Sequence, residues 1–122
     1  MNEYGGSERR GHPRVDVNFV VSYRIQETAH DYDLSQTKNL SQGGMLLTTN
    51  KKFTQGTCLS MILRFPLIPQ KIEVTGIIVD SKEVVRDIIY ETRIQFLDLD
   101  KEFFYKLGEF IKDNLKDDLK ND

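Results

Sequence analysis

The chain predicts a mainly β domain: a six-stranded antiparallel β-barrel, one C-terminal amphipathic α-helix and a flexible N-terminal tail. Three observations carry this reading. Apolar and polar residues alternate with period two in stretches between Val15 and Leu97, the period becomes helical beyond Leu97, and turn-forming residues separate the segments. Short hairpin connections favour antiparallel neighbours, and a small barrel whose open edge or end a helix covers leaves no long strand edge exposed.

Residues 1–14 lack apolar periodicity and contain Gly5, Gly6, Ser7 and Gly11, so a mobile tail is expected without a ligand. The pattern changes at Val15. Val15, Val17, Phe19, Val21, Tyr23 and Ile25 alternate with Asp16, Asn18, Val20, Ser22, Arg24 and Gln26, which predicts one long half-buried strand. The polar stretch from Glu27 to Gln36 reads as a loop. Short strands are expected over Thr37–Leu40 and Met45–Thr49, and a longer one over Thr57–Phe65 with Leu59, Met61, Leu63 and Phe65 on one face. Pro66 and Pro69 end it. A fifth strand runs from about Lys71 towards Val85 and meets a sixth, Ile88–Leu97, through a hairpin at Arg86 and Asp87. In the sixth, Ile88, Tyr90, Thr92, Ile94 and Phe96 would share a face. Beyond it, Asp98 or Asp100 can cap a helix whose apolar stripe is Phe103, Leu107, Phe110, Ile111 and Leu115. Lys112, Lys116 and Lys120 suit its C-terminal dipole. The expected organisation is a tail over 1–8, a domain over 9–115 and a polar tail over 116–122.

Composition narrows the function. With 122 residues, 39% of them hydrophobic, there is room for one domain with one modest core. A net charge of −2 and a pI near 5.7 argue against a general DNA or RNA binder, which carries a basic face. Cys58 is the only cysteine, so no intrachain disulfide forms, and its apolar strand predicts a buried, inert thiol in a reducing compartment. Met1–Gly11 lacks the apolar segment of a signal peptide, and no apolar run approaches the roughly 18 residues that span a membrane. A cytoplasmic location is expected. Two histidines and one cysteine at no metal-ligand spacing predict no metal site, and no catalytic constellation emerges, so an enzyme is not expected.

Two polar clusters stand apart from this scaffold. Arg9-Arg10-Gly11-His12-Pro13-Arg14 sets Arg10 and Arg14 four residues apart in a stretch that Gly11 and Pro13 keep from becoming helical. Arginine forks grip phosphate with paired hydrogen bonds, stack on bases, and fit the O6 and N7 edge of guanine. His12 lies within this loop, and His30 reads as a surface loop residue. The second cluster, Asn39-Leu40-Ser41-Gln42-Gly43-Gly44, puts an amide and a hydroxyl on one side of an extended segment. Gly44 allows either a positive φ or a close backbone approach. Without a ligand, the same residues suit an ordinary turn.

The R-x-x-x-R loop followed about 25 residues later by an N-x-S-x-x-G turn, with an alternating strand between, closely resembles the PilZ family from Glu8 to about Leu115. The resemblance implies binding of cyclic di-GMP in bacterial second-messenger signalling, with no other cofactor. It assigns guanine and phosphate contacts to Arg10 and Arg14, and ligand contact or turn-shaping to Asn39, Ser41 and Gly44. It also implies that Arg9, just before the motif, favours binding the dinucleotide as a stacked pair. Many family members carry a glycine-rich G-x-G segment before a phenylalanine in the last strand. This chain has Glu91-Thr92-Arg93-Ile94-Gln95-Phe96 there. The expected mechanism is a ligand-driven ordering of the arginine loop that presents a new surface to a downstream protein. The alternative is a PilZ-like protein-interaction adaptor that binds no nucleotide.

Overall fold

The structure is a computed structural model that describes residues 12–26, 31–65 and 70–121, with side chains as far as Asn114. The expectations for Arg9, Arg10, His30, Pro66 and Pro69 fall outside these residues. Among the described residues, seven strands and a helix follow in order: β1 (Val15–Asp16), β2 (Val20–Ile25), β3 (Asp33–Leu40), β4 (Gly44–Thr49), β5 (Cys58–Leu63), β6 (Ile72–Val85), β7 (Ile89–Leu97) and α1 (Lys101–Asn121). Every pairing is antiparallel, and neighbours run β3-β2-β5-β6-β7-β4, with β4 returning to β3 to close a six-stranded barrel. The two-residue β1 also pairs with β3, so β1 and β2 form one interrupted stave.

That interruption has a physical cause. Between the pairs Asp16↔Asn39 and Val20↔Gln36, residues 17, 18 and 19 oppose only 37 and 38, which makes a bulge. Thr37 repairs it: its hydroxyl donates to the Val17 carbonyl at 3.0 Å and accepts from the Phe19 amide at 3.3 Å. A second bulge at Lys38 separates Thr37↔Leu47 from Asn39↔Leu46. Because one extra residue reverses the alternation, Thr37 and Leu40 both point into the core, while Asn39 lies on the outer side.

The alternating residues fill the barrel as their period demands. Val15, Phe19, Val21 and Tyr23 are buried, as are Leu59, Met61, Leu63 and Phe65 on β5. Cys58 lies on the opposite phase of β5 and is half-buried, not buried as expected, because alternate side chains of a strand face opposite sides. Ile88 also departs from expectation. It belongs to the β6–β7 turn, where its amide donates to the Val85 carbonyl at 2.9 Å and Asp87 takes a φ of 58°. Its side chain is 59% exposed, while Thr92, Ile94 and Phe96 keep the inward face of β7.

Asp100 is the helix cap: its Oδ2 accepts from the Phe103 amide at 3.2 Å. Phe103, Leu107 and Ile111 are buried, and the helix remains regular to Asn121. Phe65 seats it, with ring centroids 6.0 Å from Phe103, 5.3 Å from Phe110 and 4.5 Å from Phe19. No helix among the described residues is long and apolar enough to cross a membrane.

Candidate functional site

The β3–β4 turn is built from the residues of the second polar cluster. Ser41 is buried, and its hydroxyl accepts from the amides of Gly43 and Gly44 at 3.1 and 3.2 Å, while its own amide donates to the Gly44 carbonyl at 2.8 Å. The hydroxyl thus takes the place of a backbone acceptor and fixes the turn. Gly44 has no positive φ. It is a close-approach glycine: a Cβ there would collide with the backbone carbonyl oxygen of Ile94 and sit 3.2 Å from Gln95 Cα. Gly44 therefore draws β4 tightly against β7, and the Phe96 amide donates to the Gly43 carbonyl at 2.9 Å.

Arg14 meets this turn across 25 residues of chain. Its Nη1 donates to Asn39 Oδ1 at 2.7 Å, which joins the two clusters by a charge-assisted hydrogen bond. The outward turn of Asn39 after the Lys38 bulge makes the bond reachable. Arg14, His12, Ser41, Gly43 and Gly44 then line one cleft of about 400 Å³ together with Val79, Arg93, Ile94 and Gln95. Asn39 stands behind Arg14 and is not among the lining residues.

Two contacts tie this cleft to α1. The His12 ring meets Phe104 edge-on at 5.8 Å, and Gln42 Nε2 donates to the Phe104 carbonyl at 2.9 Å. Gln42 fits against the helix at Gly108, where a Cβ would come within 2.5 Å of its amide nitrogen.

None of the described residues lining the cleft is acidic, and two are arginines, so it favours an anionic ligand. A slightly larger cleft of about 430 Å³ beside the start of α1 has Glu73, Asp98 and Asp100 against a single cation, Lys71, and suits an anion poorly. No group of His, Cys, Asp and Glu able to hold a metal occurs among the described residues.

Of the residues singled out from sequence, Arg14, Asn39, Ser41 and Gly44 come together here; Arg9 and Arg10 lie outside the described residues. Sequence reasoning left open how Arg93 faces and missed Gln95, Val79 and the tether through Gln42. The alternation of β7 between Thr92 and Ile94 already placed Arg93 on the outer face. The same alternation places Gln95 outward, while Val79 and the Gln42 tether depend on strand register and helix packing.

The sequence matches the PilZ domain family model over residues 8–113. No match is found among curated proteins. Several solved structures share the fold. Bacillus subtilis MotI/DgrA, an inhibitor of motility, has a TM-score of 0.74 at 15% identity over 89% of this chain and 52% of its own. The PilZ domain of Escherichia coli YcgR with c-di-GMP has a TM-score of 0.71 at 12% identity over 93% of this chain and 96% of its own. The K. pneumonia MrkH–c-di-GMP complex has a TM-score of 0.67 at 13% identity over 91% of this chain and 54% of its own. This chain thus spans about half the length of MotI and of MrkH. The family match covers both polar clusters and the whole closed barrel, and on that ground the chain belongs to the PilZ domain family.

Proposed function

We propose that this chain is a cyclic di-GMP effector module, not an enzyme, that takes the dinucleotide in the cleft between Arg14 and the Ser41–Gly44 turn. The observation that carries the reading is the Arg14–Asn39 hydrogen bond, which holds a guanidinium at the edge of a cleft none of whose described lining residues is acidic. Solved relatives that contain c-di-GMP, the YcgR domain and MrkH, support the choice of ligand.

In this mechanism Arg10 and Arg14 grip phosphate and guanine, and Arg9 covers the exposed face of a stacked pair of dinucleotides. Two stacked ligands bring four phosphates and four guanines together, and a third guanidinium offsets their charge. The Ser41–Gly44 turn forms the floor, where the absence of a side chain at Gly43 lets the ligand approach the backbone. His12 and Gln42 join the floor to α1, so closure of Arg9–Arg14 over ligand alters the surface around Phe104 that a downstream protein meets. A second reading, an adaptor that binds no nucleotide, is favoured by the likeness to MotI, an inhibitor of motility.

Titration calorimetry with cyclic di-GMP separates the two. Wild type should bind two ligands per chain, and Arg10→Ala or Arg14→Ala should each weaken binding at least tenfold, about 1.4 kcal/mol. Arg9→Ala should shift the stoichiometry towards one. Absence of binding by wild type would leave the adaptor reading standing.

A further inference from the structure

Arg93 belongs to neither binding motif, yet the barrel places it in the same cleft. Its register explains how. Asn39 pairs with Leu46, Leu46 with Arg93 and Arg93 with Asp80, so these residues form one row across β3, β4, β7 and β6. Residues directly opposite on paired strands share a face, and Thr92 and Ile94 on either side of Arg93 point inward. The row therefore lies on the outer surface. Arg93 stands two strand spacings, about 10 Å, from the Asn39 strand, so the cleft has an arginine on each side.

The Arg93 guanidinium is not committed to another role. Its Nε is buried and donates no hydrogen bond, and Asp80 Oδ2 stands 3.9 Å away, too far for one. Both side chains are about half exposed, at 42% and 57%, and such an ion pair is screened by water and easily exchanged. The carboxylate decides what Arg93 can receive. An anion beside it opposes a phosphate but not a neutral base, and a guanidinium fork matches the O6 and N7 acceptors of guanine, whereas adenine presents an amino donor at the first of these.

We propose that Arg93 is a further ligand-binding residue that reads a guanine edge from the rigid barrel wall, alongside the Arg14 guanidinium on the other side of the cleft. It deepens the cyclic di-GMP reading and rests on it. On a strand rather than a loop, Arg93 needs little ordering to bind, so it confers base preference at low entropic cost.

The test is calorimetry of wild type, Arg93→Ala and Arg93→Lys with cyclic di-GMP and with cyclic di-AMP. Arg93→Ala should lose at least tenfold in affinity for cyclic di-GMP and less than threefold for cyclic di-AMP. Arg93→Lys, which keeps the charge and the fold but not the fork, should also lose base preference. If wild type binds and either variant keeps its cyclic di-GMP affinity within twofold, or both ligands weaken by the same factor, the assignment to a base edge is overturned while the effector reading survives. If wild type binds neither ligand, both fall.

Discussion

Gly44 and Ser41 stand three residues apart in one motif, and the structure gives them different burdens. Gly44 is held by contact with backbone, since the Ile94 carbonyl occupies the space a Cβ needs, and backbone cannot rotate away as a side chain can. Gly44→Ala should therefore force β4 and β7 apart and cost about 3 kcal/mol. Ser41→Ala leaves the Gly43 and Gly44 amides without their hydroxyl acceptor and should cost about 1–2 kcal/mol. Urea denaturation of the two variants checks the order, and equal midpoints would show that the close approach carries no stability. The motif spacing made both residues legible as a turn. Which of the two glycine roles applied was not legible, because the collision involves a strand 50 residues further along the chain.

At the scale of elements, the turn and α1 meet through Gln42, and that junction is measurable. Replacing a helix-interior glycine by alanine ordinarily stabilises by about 0.8–1.0 kcal/mol. At Gly108 the new Cβ would press on the Gln42 amide and disturb its bond to the Phe104 carbonyl. Gly108→Ala should therefore stabilise the chain in a Gln42→Ala background and give little or nothing in wild type. A coupling of at least about 0.5 kcal/mol in this double-mutant cycle is expected, and strict additivity would mean that Gln42 does not hold the helix. The elements themselves were readable except at Asp33–Gln36, which the polar pattern gave as loop and which instead extends β3 and pairs with β2. The inward faces of β2 and β5 and the buried Phe103, Leu107 and Ile111 of α1 followed from periods of two and 3.6. The bulges at Val17–Phe19 and Lys38 were not, since nothing in a local pattern marks one extra residue against a distant partner, and the second of them turns Asn39 outward to Arg14.

For the whole molecule, closure of the barrel is what makes a site from residues far apart in sequence. Arg14 enters beside β1, the Ser41–Gly44 turn joins β3 to β4, and Arg93 rides on β7. The β1–β3, β3–β4 and β4–β7 pairings bring the three around one cleft. The two motifs announced the chemistry before the fold was known, because an arginine loop and a hydroxyl-glycine turn are local patterns. The far wall of the cleft was hidden, because it depends on strand order and register across the sheet.

The central claim is that this cleft takes cyclic di-GMP, and amide chemical-shift mapping of the full chain during titration with the dinucleotide tests it most directly. The largest shifts should fall at Gly43, Gly44, Arg93, Ile94 and Gln95, with smaller ones reaching Phe104 and Gly108 through Gln42. Saturable shifts confined to the cleft lined by Lys71, Glu73, Asp98 and Asp100, or no shifts at millimolar ligand, would contradict it.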